Sequence, residues 1–133
     1  MKRLLIILLV CLSVWACSND QTMLEKIDGK WLYDARATWE FKNPGKEYVS
    51  TEALDSQSGF LIFDTRNLIV EEHYSPESID KHRYLIDYSS KDKAQLRYGG
   101  FTFEFSITHK GKLLVCSPQV GAKNCDVLSR TVQ

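Results

Sequence analysis

The chain carries few of the features that mark enzymes and cofactor-binding proteins. Its three histidines, His73, His82 and His109, are scattered and form no i,i+4 pair, so the helical zinc-binding spacing is missing. No C-x-x-C occurs among its four cysteines, which removes the usual redox and zinc-ribbon signatures. Its seven glycines form neither a phosphate-cradling loop nor a nucleophile elbow. Glu71 and Glu72 are adjacent and on a strand would face opposite ways, so they do not form a carboxylate dyad. The 17 basic residues balance 17 acidic ones with no basic block, so a nucleic-acid partner is not expected. Internal repeats and low-complexity segments are lacking, and no helical period stands out beyond the first 17 residues. These absences predict a non-enzymatic protein with no metal and no cofactor.

The sequence instead shows strand after strand. Trp31, Tyr33, Ala35, Ala37, Trp39 and Phe41 occupy alternate positions, with mostly polar residues between them. That period-two pattern predicts one long strand over 31–41 with an apolar inner face. Asn43-Pro44-Gly45 then turns the chain. Further strands are predicted at Tyr48–Leu54, Gly59–Asp64, Asn67–Tyr74, His82–Ser89, Lys93–Tyr98, Phe101–Ile107, Leu113–Cys116 and Cys125–Val132. Gly99-Gly100 is a two-residue hairpin signal, Lys110-Gly111 is expected to turn the chain into Leu113–Cys116, and a brief helical turn is expected over Leu24–Ile27. About nine strands joined by short turns make an antiparallel meander, and closure of a meander removes its exposed edges. The expected fold is all-β, a small up-and-down antiparallel barrel of eight to ten strands, with a β-sandwich as the alternative.

The N-terminus sets the location. Lys2 and Arg3 precede an uncharged, mostly apolar run from Leu4 to Val14, and the small Ala16 stands just before Cys17. The run is shorter than the roughly 20 residues a membrane span needs and has the layout of a secretory signal. Val14-Trp15-Ala16-Cys17 resembles the lipobox of bacterial lipoproteins. That resemblance implies cleavage before Cys17, a diacylglycerol on its thiol and an amide-linked acyl chain such as palmitate, two chains being enough for stable anchoring. Residues 1–16 would be the signal peptide, 17–26 a lipidated N-terminus and short tether, and 27–133 the barrel domain. Ser18 after the cysteine implies outer-membrane placement in the bacterial envelope. With Cys11 lost and Cys17 lipidated, Cys116 and Cys125 remain as a pair outside the cytoplasm, where disulfides persist.

Gly29-Lys30-Trp31 opens the first strand and resembles the G-x-W signature of lipocalins and fatty-acid-binding proteins, closest in layout to small lipocalin-like lipoproteins of bacteria. The resemblance implies that Trp31 closes one barrel end and that Arg130 packs across it. Barrels of this size are either filled or hold one small ligand. Ala35 and Ala37, between Tyr33 and Trp39, would leave a void, with Tyr84, Tyr88, Phe103 and Phe105 as candidate walls for a small hydrophobic ligand. His82 shares a predicted face with Tyr84 and is the best polar candidate for such a pocket. The alternative is a filled barrel acting as a non-catalytic interaction module (an inhibitor, immunity or assembly factor). It would bind an envelope protein through loops Asn43–Glu47, Ser75–Lys81 and Ser117–Asn124. The lipid anchor has a direct test: Cys17→Ser should abolish metabolic acyl labelling and shift the protein from the membrane to the soluble fraction. Persistent labelling of that variant would refute the assignment.

Overall fold

A computed structural model describes residues 21–51, 59–75, 77–117 and 124–130. The signal segment and Cys17 lie outside these residues. The elements are α1 (Met23–Ile27), β1 (Gly29–Tyr33), α2 (Ala35–Lys42), β2 (Phe60–Asp64), β3 (Ile69–Ser75), β4 (Ser78–Arg83), β5 (Leu85–Ser89), β6 (Lys93–Tyr98), β7 (Phe101–Ile107), β8 (Leu113–Cys116) and β9 (Cys125–Arg130). The nine strands form one sheet in the order β4-β3-β2-β1-β9-β8-β7-β6-β5, and every neighbouring pair is antiparallel. The first and last strands of the chain meet at the centre, with Trp31 opposite Arg130.

The two edge strands, β4 and β5, are separated in sequence by Tyr84 alone. They act as one bent strand, whose first half pairs with β3 and whose second half pairs with β6. The sheet thereby nearly closes into a barrel, as the meander predicts. The bend is pinned from inside: Tyr84 is fully buried, and its amide donates to the Leu68 carbonyl at 3.0 Å. Leu68 itself has φ 56°, a left-handed conformation costly for a branched side chain.

Four expectations hold closely. Gly99 and Gly100 both adopt positive φ and join β6 to β7 in a two-residue hairpin with Tyr98 opposite Phe101, the geometry that primed turns require. Gly111 turns β7 into β8. Cys116 and Cys125 are direct cross-strand partners and are joined by a disulfide. The helical turn before β1 is also present, started by Thr22, whose hydroxyl accepts from the Glu25 amide. Met23 and Ile27 of that turn are wholly buried, so the core includes part of the stretch expected to be tether.

Three expectations are corrected. The long strand over 31–41 is instead β1 followed by α2. Asp34 stops the strand by accepting from the Ala37 amide at 2.9 Å, an N-cap bond. Ala35, Thr38 and Trp39 then recur at helical i, i+3, i+4 spacing, and Arg36 pairs with Glu40 at 2.9 Å. Alternation misled because the two alanines lend an apolar count to either period while favouring helix by propensity. Thr38 takes over where β1 ends: its hydroxyl receives the Val127 amide and donates to the Val127 carbonyl. Second, the described part of Tyr48–Leu54, residues 48–51, is irregular rather than strand; the remainder lies outside the described residues. Third, Ser75–Lys81 is mostly strand, because β4 begins at Ser78.

The base of the barrel is sealed by α1. Met23 donates its amide to Ser90 O, Lys26 reaches Lys91 O, and Trp31 Nε1 donates to Ile27 O at 2.9 Å. The Arg130 guanidinium lies 4.1 Å over the Trp31 ring and donates to the Asp28 and Lys26 carbonyls, two acceptors that the end of α1 leaves open. Gly29 makes this possible. It has φ +103°, and a Cβ there would sit 2.9 Å from an Arg130 nitrogen.

Gly29→Ala should lower unfolding free energy by about 1–3 kcal/mol through backbone strain, and Arg130→Met by about 1 kcal/mol through loss of the exposed guanidinium's charge-assisted bonds. In urea unfolding, the double variant should lose less than the sum, because part of the glycine's cost is its clash with the arginine. Strict additivity would show the two residues to be independent.

Candidate functional site

Strand alternation sorts the barrel interior into two zones. Near α1, Trp31, Phe63, Val70, Leu96, Phe105 and Leu113 are almost completely buried and fill the space, with Phe63 edge-on to Phe105 at 5.4 Å. Toward the opposite end the filling stops. A cavity of about 480 Å³ opens there, with walls formed by Tyr33, Leu61, Tyr98, Phe103, Val115 and Leu128. Small-ligand sites typically occupy about 300–1,000 Å³. Tyr98 and Phe103 stack with centroids 4.5 Å apart and make one flat wall.

The mouth also carries polar groups. Glu72 and Tyr74 from β3 and Asp126 from β9 border the cavity. A second recess of about 410 Å³ shares Glu72, Tyr74, Tyr98 and Phe103 with the first and adds Asp80 and His82 from β4. Glu72 is buried and accepts a hydrogen bond from the Tyr74 hydroxyl. Burial raises the Tyr74 phenol above its usual range, and the Glu72 carboxylate adds to the effect. Tyr98 is likewise pushed well up, by burial first and then by Glu72. Burial raises the Asp126 carboxyl, partly offset by Lys42 at 4.0 Å. These phenols stay protonated at neutral pH, and that of Tyr74 donates to Glu72.

The predicted wall residues divide. Tyr33 and Phe103 line the cavity. Phe105 belongs to the filled zone, and Tyr84 lies in the core. The Tyr84 hydroxyl has no partner among the described residues and is pushed up to about 12 by burial and by Asp28 and Asp64. Ala35, Ala37 and Trp39 sit on α2 rather than on an inward strand face, so they do not border the void they were expected to create. A bulge between Ile86 and Tyr88 sends Tyr88 outward, where its hydroxyl approaches Glu104 at 3.4 Å. Glu71 and Glu72 do face opposite ways: Glu71 meets Lys81 and His73 outside the barrel. His82 is at the mouth, in phase with Tyr84, as the alternation predicts.

Glu72 and Asp80 were missed as a pair. They are direct cross-strand partners, invisible while 75–81 was read as a loop. The alternation Asp80, His82, Tyr84 was a usable signal, since it runs unbroken across the bend.

Outside the barrel, Asp34 gathers α2, β9 and the β7–β8 turn. Its Oδ2 accepts from Lys112 Nζ and Ser129 Oγ, both at 2.7 Å. Partial burial pushes its pKa up, but the bonds from Lys112, the Ala37 amide and Ser129 together outweigh that and hold it below the usual carboxylate value. No protein-family model, curated protein or solved structure matches the chain. The described residues define a small all-β barrel, sealed at one end by α1 and with a cavity toward the other.

The depressed Asp34 pKa fixes the sign of an acid effect. A group whose folded pKa lies below its unfolded value, about 3.9 for Asp, contributes stability that is complete above that pH and lost as pH falls through the folded value. Asp34→Asn should therefore cost about 1 kcal/mol at pH 7, with the gap from wild type narrowing as pH falls below about 4. Parallel stability curves over that range would refute the assignment.

Proposed function

We propose that this protein is a lipid-anchored binding module of the bacterial envelope, a lipocalin-like lipoprotein that holds one small hydrophobic molecule in the barrel mouth. The observation that carries the reading is the half-filled interior, with a closed apolar base and a roughly 480 Å³ cavity walled by aromatic and aliphatic side chains. A flat apolar ligand body matches the Tyr98–Phe103 wall, and a polar end would meet Glu72 and Tyr74. The lipobox-like Val14–Cys17 and the Gly29-x-Trp31 signature support the anchor and the family resemblance. The geometry of Arg130 over Trp31 is the contact that the resemblance implies. The described chain enters at the sealed end, through Thr22 and α1, so anchoring through Cys17 would leave the mouth facing away from the membrane.

A partner-binding role is the second reading, favoured by the exposure of Leu85, Ile86 and Tyr88 along β5. The two separate by titrating an environment-sensitive apolar dye into the unlipidated Cys17→Ser chain. Saturable one-to-one enhancement is expected, weakened at least tenfold by Leu61→Trp with unchanged far-UV circular dichroism. Absence of saturable binding in the Cys17→Ser chain would refute the ligand-carrier reading and leave the partner-binding one.

A further inference from the structure

A cluster at the mouth goes beyond apolar ligand binding and does not depend on it. Glu72 on β3 and Asp80 on β4 face each other across one rung of the ladder. His82 lies two residues further along β4, on the same inward face. One ligand atom from each of the three lies within 4.8 Å of the others. The three side chains line one recess, of about 410 Å³.

Two carboxylates directly opposite on neighbouring strands repel, and burial of Glu72 sharpens the cost. Elsewhere on this barrel acidic groups near a cation use it: Glu71 pairs with Lys81, Asp87 with Arg97 and Glu104 with Lys93. Among the described residues, no lysine or arginine forms an ion pair with Glu72 or Asp80. The cluster is also positioned. The Tyr74 hydroxyl holds Glu72 Oε2, leaving Oε1 available. The His82 ring is confined between Gly99, where a Cβ would stand 3.4 Å from the ring, and Tyr98, with centroids 5.9 Å apart. The Tyr74–Glu72 bond is the kind of outer contact that orients a metal ligand.

We propose that Glu72, Asp80 and His82 form a binding site for a divalent first-row transition-metal ion of the zinc type. Imidazole plus two carboxylates suits such an ion, whereas calcium and magnesium take oxygen ligands. Tetrahedral zinc with bonds of about 2.0–2.1 Å needs ligand atoms roughly 3.4 Å apart, so side-chain rotation alone can close the set. Three protein ligands leave a coordination position for water or for a donor atom of a bound molecule.

The test is calorimetric titration of Zn²⁺ into the chelator-treated, unlipidated Cys17→Ser chain, with Mg²⁺ in parallel and thermal melts of each sample. One Zn²⁺ site is expected, with at least a hundredfold preference over Mg²⁺ and a rise in melting temperature on loading. Glu72→Gln and His82→Gln should each weaken Zn²⁺ binding at least tenfold. Glu72→Gln should also raise the melting temperature of the metal-free protein, because it removes the carboxylate repulsion, and this separates lost ligation from lost folding. His73→Gln, on the outer face beside Glu71, should leave the affinity unchanged. Absence of a one-to-one site, or a site that survives Glu72→Gln and His82→Gln, would overturn the proposal. Neither outcome bears on the apolar-dye titration, which contains no metal.

Discussion

The fold depends on the Arg130 guanidinium stacked over the Trp31 indole. This contact joins the first strand to the last and both to the plug. β1 and β9 pair over only three positions, a short seam between segments nearly a hundred residues apart. Such a pairing costs loop-closure entropy before any contact offsets it. A charged planar group that covers a buried ring and also satisfies the carbonyls at the end of α1 adds to the ladder there: about 0.5–1 kcal/mol for stacking by an exposed guanidinium, plus the bonds. The choice of arginine follows from the geometry, since only a planar fork can stack and donate to two carbonyls together. Gly29 follows from it in turn, as the residue beside which the fork can lie.

Sealing the base frees the rest of the interior. A barrel of this circumference can be filled completely by side chains, and the base is filled, with Trp31, Phe63 and Phe105 interlocked. The mouth departs from that density and places carboxylates and phenols among apolar walls. Glu72 is the clearest departure: a buried acid opposite a second acid contributes nothing to stability. Features that conflict with good packing concentrate at functional sites. Thus the zone proposed to bind a ligand is the one the core does not require.

The sequence discloses the second half of the chain better than the first. From Lys93 onward every strand is legible, because the turns are marked by Gly99-Gly100 and Gly111 and the faces by Phe103, Phe105, Leu113 and Val115. The cysteine pair is legible from arithmetic, and the Gly29–Trp31–Arg130 contact from the family resemblance. Two segments misread for one reason. Ala35–Lys42 and Ser78–Lys81 carry few large apolar residues, so their state is settled by partners distant in sequence. Thr38 becomes helical against β9 through Val127, and β4 becomes strand because β3 offers it a free edge. The cavity walls inherit these errors: Ala35, Ala37 and Trp39 were assigned to an inward face that does not exist, while Glu72 and Asp80 were not seen to meet.

The two ends of the barrel are fastened by different means. The base uses a cation, an indole and a short helix. Among the described residues the mouth has no such plug. There Cys116 and Cys125 tie β8 to β9, and Ser117 and Asn124, just beyond the bridge, border the recess that contains His82. A cross-link closing so small a loop contributes roughly 2–3 kcal/mol by restricting the unfolded chain. It needs no apolar volume to do so. A mouth held by core packing would have to fill with side chains to stay in place, whereas one held by a covalent rung can keep its shape and stay open.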